Sequence, residues 1–142
     1  HPNVNTAVSR GINLGFPISH FKLVKSHIEK SLKQRKFSDQ EIEKLGDRSF
    51  IYFIISALIS YSRSMILGKV ELEKGIKCRR KIIEDIIVDP DVKKAIRNYS
   101  RSKEESPWIP RAIAWRSPKF LEFACTRRAK EILRVRRAFH AQ

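Results

Sequence analysis

The sequence is poor in the residue groupings that build most catalytic and metal centres. Its two cysteines, Cys78 and Cys125, have no metal-like spacing and read as small apolar fillers in a reducing compartment. Four histidines (His1, His20, His27 and His140) are scattered along the chain. His20 and His27 share a helix face two turns apart, but nothing completes the three or four ligands that a closed metal site needs. There is no glycine-rich phosphate loop, no serine in a G-x-S-x-G elbow and no short glycine turn leading into a polar recognition helix. Asp89-Pro90-Asp91 is formally a D-x-D pair, yet its proline and its position at a helix start account for it as a cap. Glu84-Asp85 and Glu104-Glu105 read as solvated pairs. A complete catalytic centre is therefore not expected in this chain. Five glycines and six prolines in 142 residues argue against a turn-rich β fold and for long helices. The opening HPNVNTAVSRG carries no apolar run of the kind a signal peptide needs, and a start at His1 rather than Met suggests a chain that is processed, tagged or cut from something longer.

What the sequence does contain is helical period and positive charge. Residues 1–17, with Pro2, Gly11, Gly15 and Pro17, read as an extended arm. Ser19 is placed to cap a helix whose apolar stripe is Phe21, Val24, Ile28 and Leu32. Ser38-Asp39-Gln40-Glu41 is a capping box, and the helix it starts can run to Leu67, with Gly68 as its stop. Between Ser49 and Ser62 that helix has no charge and is apolar on every side. These residues rise about 21 Å, short of the roughly 30 Å hydrocarbon layer, so the segment reads as a buried central helix and no transmembrane segment is expected. A third helix fits Val70 to Val88, with Leu72, Ile76, Ile83, Ile86 and Ile87 inward. Asp89-Pro90 restarts a helix that reaches about Tyr99, residues 100–107 form a polar loop, and Trp108 to Trp115 and a Ser117-Pro118-initiated helix complete the chain. The reading is all-α: a five- to six-helix, bundle-like domain over residues 18–142, preceded by the extended N-terminal arm.

The net charge of +15 is unevenly divided. Residues 1–37 carry seven basic and one acidic side chain, and residues 111–142 carry nine and two, while residues 38–68 are nearly balanced. Such asymmetry points to a polyanionic partner rather than to uniform solvation. The last helix is the most informative segment. Leu121, Ala124, Cys125, Ile132 and Val135 can form its core strip. Arg127, Arg128, Lys130, Arg134, Arg136 and Arg137 occupy much of the rest, with Arg111, Arg116 and Lys119 just before and Trp108, Trp115, Phe120, Phe123 and Phe139 interleaved. Arginines that meet lipid phosphates beside rings that enter the headgroup boundary suit an anionic membrane surface. A nucleic-acid backbone would accept the same composition, and a merely solvated basic tail would display it too.

One resemblance follows from the order of features. The opening His1-Pro2-Asn3-x-Asn5-Thr6 is similar to the end of an Arg-x-His-Pro-Asn-x-x-Ser run that closes the catalytic domain of inverting family-2 glycosyltransferases of the GT-A type. A helical C-terminal extension often follows in those enzymes. Here it would comprise the apolar helix around Phe50–Ile59, the Asp89-Pro90-Asp91-Val92 start, the Trp108-Ile109-Pro110-Arg111 segment and the Arg-rich end, so the resemblance spans nearly the whole chain. It implies a transferase of cell-surface polysaccharide assembly, moving sugar from a nucleotide-sugar to a lipid-linked or polysaccharide acceptor on the cytoplasmic side of a membrane. The catalytic base and the D-x-D metal motif would lie upstream; no cofactor is expected in this chain, and the divalent metal and nucleotide-sugar belong to the intact enzyme. In the family the histidine of the closing motif can contact the metal or diphosphate, which gives His1 that role. The Q-x-x-R-W motif of processive members is missing, and Ala114-Trp115-Arg116 does not replace it. The expected function is thus a C-terminal helical, membrane-surface part of a glycosyltransferase, cytoplasmic and peripheral, held by its basic ends near an anionic membrane surface or a lipid-phosphate acceptor. The alternative is a basic helical module that contacts nucleic-acid phosphates.

Overall fold

The structure, a computed structural model, describes residues 18–141. The expected N-terminal arm and His1 lie outside the described residues. Six α-helices and a 3-10 turn make up all the regular structure among the described residues: α1 Ile18–Gln34, α2 Asp39–Ile66, α3 Leu72–Val88, α4 Pro90–Ala95, the 3-10 turn Ile96–Asn98, α5 Trp108–Ala114 and α6 Pro118–Ala141. The protein is all-α and bundle-like, as its sequence predicts.

Local chemistry sets most of the boundaries. Ser38 and Glu41 form the expected capping box, each satisfying an amide of the other. Asp89 Oδ1 accepts from the amides of Asp91 and Val92 at 2.9 and 3.2 Å, and Pro90 fills the first position of α4. Ser117 Oγ accepts from the Phe120 amide and opens α6. Ser19, by contrast, is not a cap: α1 already includes Ile18, so Ser19 sits inside the first turn.

Three helix ends close in the same way, with a residue in the left-handed region and paired backbone bonds reaching back into the last turn. After α2 that residue is Gly68 at φ 72°, where glycine carries no steric penalty. After α1 it is Lys36 at φ 63°, and after α5 it is Arg116 at φ 56°. Each of those two costs on the order of 1 kcal/mol against glycine. At Arg116 the side chain returns part of this, because its Nε donates to the Ile87 carbonyl at 3.3 Å and ties the corner to α3.

The central element is α2, which packs against α1, α3, α4 and α6. Phe50, Ile51, Ile54, Ile55 and Leu58 are buried, joined by Ile83 and Ile86 of α3, Ile109 and Ile113 of α5, and Leu121 and Cys125 of α6. By length and composition α2 is apolar and long enough to cross a membrane, since it extends well beyond the uncharged stretch. Its contacts here are those of a core helix. It is not buried all round, however, as the sequence suggested: Tyr52 and Phe53 are exposed on one side. Two further core assignments are corrected. Leu72 is 61% exposed, because it opens α3 beyond the bundle's covered length. Val135 is 69% exposed, because the distal part of α6 outruns its neighbours and every described side chain from Arg134 to His140 is open to solvent.

Buried polar groups cross-link the helices at both ends of α2. Asp47, fully buried, holds Lys25 Nζ of α1 at 2.8 Å and accepts from Asn98 Nδ2 at 2.8 Å. Lys22 of α1 reaches the buried Asp89 at 2.7 Å and Asp91 at 3.2 Å, and those carboxylates raise its pKa. Near the other end, Arg79 of α3 bridges hydroxyls of α2 and α6.

Candidate functional site

The α5–α6 corner gathers the aromatic residues that the sequence singled out. Ser117-Pro118 turns the chain sharply after α5, so a ring on the first turn of α6 folds back over both ends of α5. Phe120 lies between the two tryptophans, 6.0 Å from Trp108 in a tilted arrangement and 5.6 Å from Trp115, with which it is nearly parallel. Trp115 is 62% and Phe123 60% exposed, and Trp108 is also open to solvent. Four rings therefore form one outward patch in which only Phe120 is substantially covered. Single exposed apolar residues are ordinary; a cluster of large rings is not.

Cations attend this patch. The Arg111 guanidinium sits 5.2 Å from the Trp108 ring centroid, in cation–π contact. Arg127 and Arg128 line a groove of about 200 Å³ with Trp108, Phe120, Phe123 and Ala124. Arg116 and Lys119 are exposed at the same corner. Glu131 moderates both groove arginines, at 3.4 Å from Arg127 and 3.4 Å from Arg128, and Arg128 also donates to the Glu104 carbonyl. Such exposed helical pairs contribute a few tenths of a kcal/mol and leave the local excess positive.

A second cleft, of about 270 Å³, adjoins the groove at Ser106 and Arg128. Arg63 of α2 and Arg128 and Arg136 of α6 face it across an apolar wall that includes Ile55, Ile59 and Ile132. Arg63 Nε is buried there without a hydrogen-bond partner. The sequence signal for Arg63 was available, since it is the lone cation that ends the uncharged stretch of α2, but without the fold it reads as a helix terminus.

The predicted site residues thus separate into groups. Trp108, Trp115, Phe120, Arg111 and Arg127 come together at the corner, and Arg128 joins the groove to the cleft with Arg136. Arg134 and Arg137 are exposed on the distal turns of α6, and Lys130 lines a different pocket, beside Arg79. His1 lies outside the described residues. Among the described residues no three His, Cys, Asp or Glu side chains group as a metal site would require. Asp89 and Asp91, the formal D-x-D, are occupied by Lys22, and Asp89 also by two amides. No protein-family model matches the chain, and no curated protein or solved structure matches it.

Proposed function

We propose that this chain is a helical module that docks on an anionic membrane surface through its α5–α6 corner, as the C-terminal extension of a family-2 glycosyltransferase. On this reading the intact enzyme transfers sugar from a nucleotide-sugar to a lipid-linked or polysaccharide acceptor at the cytoplasmic face, and this part positions it. The observation that carries the docking is the exposed Trp108–Phe120–Trp115–Phe123 patch with Arg111 and Arg127 against its rings. The glycosyltransferase context rests on the resemblance of sequence. On the same reading the divalent metal and the nucleotide-sugar are bound by the catalytic domain of the intact enzyme.

The energetics favour rings and charges acting together. Arg111, Arg116, Lys119 and Arg127, the corner cations apart from the half-buried Arg128, together contribute about 4 kcal/mol near an anionic leaflet, which alone corresponds to millimolar binding. Insertion of two or three half-exposed rings adds a few kcal/mol more, enough to reach the micromolar range. Neither part suffices singly.

Sedimentation with vesicles tests this. The chain pellets with vesicles containing anionic phospholipid and stays in solution with neutral ones. Trp115→Ala lowers partitioning about tenfold with only a small loss of thermal stability, because Trp115 is mostly exposed and gives up little beyond its stack on Phe120. Equal binding to neutral and anionic vesicles at low salt would sink the proposal. So would generic single-stranded RNA binding tighter than vesicles do, which would transfer the same surface to nucleic-acid phosphates and base stacking.

A further inference from the structure

Arg79 is 7% exposed, yet no carboxylate of the described residues lies within ion-pair distance of it. Its hydrogen bonds run from one terminal nitrogen to two neutral oxygens, Ser62 Oγ at 3.1 Å and Thr126 Oγ1 at 2.8 Å. Nε is buried with no partner. A guanidinium taken out of water without a counter-charge is costly, and hydroxyl dipoles offset only part of that cost. The edge that includes Nε is also the one that matches an oxyanion in a two-point bond. Lysine and arginine are plentiful on this surface, so burial of one of them without an acid is the informative event.

A pocket of about 260 Å³ opens beside this cation. Ser62, Thr126 and Lys130 give it a polar side, and Met65, Ile66, Leu72 and Ile76 an apolar one. Leu72 is the same side chain that the sequence placed inward and that instead stands open at the start of α3. Gly75 lets α3 approach here, since a Cβ on it would come within 3.0 Å of Met65 Cγ. The result is an amphipathic cavity: a buried positive charge and hydroxyls on one wall, and on the other apolar side chains of which Ile66 and Leu72 are exposed. None of its lining residues borders the aromatic groove.

We infer that this pocket binds the oxyanion head, phosphate or carboxylate, of a small amphiphile, with Arg79 as the anchoring group and the apolar wall covering the first part of its chain. The volume suits a head and a short segment rather than a whole lipid. The ligand supplies the negative charge that the fold withholds from Arg79, and Lys130 adds a second cation at the rim.

The inference is tested by calorimetric titration of the full chain with octyl phosphate below its micelle concentration, with inorganic phosphate and with octanol as comparison ligands. Octyl phosphate is expected to bind at one site, at least about tenfold tighter than inorganic phosphate, and octanol not to saturate. Arg79→Met is expected to weaken octyl phosphate about tenfold or more while the unliganded thermal midpoint changes little, because relief of an unpaired buried charge offsets the donor that the Ser62 and Thr126 hydroxyls lose. If that variant does not fold, Leu72→Gln decides, because its side chain is exposed: several-fold weaker octyl phosphate binding, with inorganic phosphate unchanged, supports the site. Unaltered octyl phosphate affinity in Arg79→Met or Leu72→Gln would overturn it, as would equal affinity for octanol or for inorganic phosphate.

Discussion

At the scale of single residues, the core contains a group that makes stability depend on alkaline pH. Cys125 is wholly buried, and burial pushes its thiol up to about 12. Tyr61, buried beside Cys78, is likewise raised to about 12, chiefly by burial. A group that holds its proton more tightly when folded contributes fully below its unfolded pKa, near 9 for a thiol, and loses that contribution as pH rises toward its folded value. The urea midpoint should therefore fall between about pH 9 and 11, and Cys125→Ala should flatten the fall, with Tyr61 and Tyr99, whose hydroxyl is raised by burial and by its bond to Glu105, contributing to what remains. A midpoint independent of pH over that range would contradict the burial described here. Cys78, at the surface side of the same cluster, is only partly covered.

At the scale of elements, three of the four caps read from the sequence were legible, Ser19 being the exception, and exposure was not. Ser38-Glu41, Asp89-Pro90 and Ser117-Pro118 act within three or four residues of themselves, so no tertiary knowledge was needed to find them. Leu72, Phe53 and Val135 satisfy the helical apolar period just as Ile83 and Leu121 do. Which of them is covered depends on where a neighbouring helix ends, and that is a property of the packing. Arg79 was hidden for the opposite reason: it lies in a basic Arg79-Arg80-Lys81 run in which only the structure shows that one member turns inward. The caps also differ in energetic importance. Asp89→Ala removes two amide acceptors and a nearly buried carboxylate that Lys22 holds, and should cost about 2 kcal/mol in urea unfolding. Ser38→Ala, on an exposed turn, should cost about 1 kcal/mol or less. The reverse order would mean that the α3–α4 junction is not the tie between α1 and the core that the ion pairs suggest.

At the scale of the whole molecule, a net charge of +15 sets two responses to salt that run in opposite directions. Most of the ion pairs described are at least partly exposed and individually weak, so they cannot offset the repulsion among an excess of fifteen positive charges. Raising sodium chloride from about 20 to 300 mM shortens the screening length from roughly 20 Å to about 6 Å. The thermal midpoint should then rise by a few degrees, while sedimentation with anionic vesicles should decline. A midpoint that falls in step with binding would instead show that the surface pairs stabilise the fold more than the excess charge opposes it.

The α5–α6 corner has one more consequence. The chain has only two tryptophans, and both belong to the exposed ring patch, one on each side of Phe120. All indole fluorescence of the protein therefore originates from a single small area of its surface, with no contribution from the core. Free in water, such indoles emit at long wavelength and are open to a dissolved quencher; a hydrocarbon boundary or a stacked base would shift and shield both together. The molecule thus reports the occupancy of its own contact surface in emitted light, without an added label.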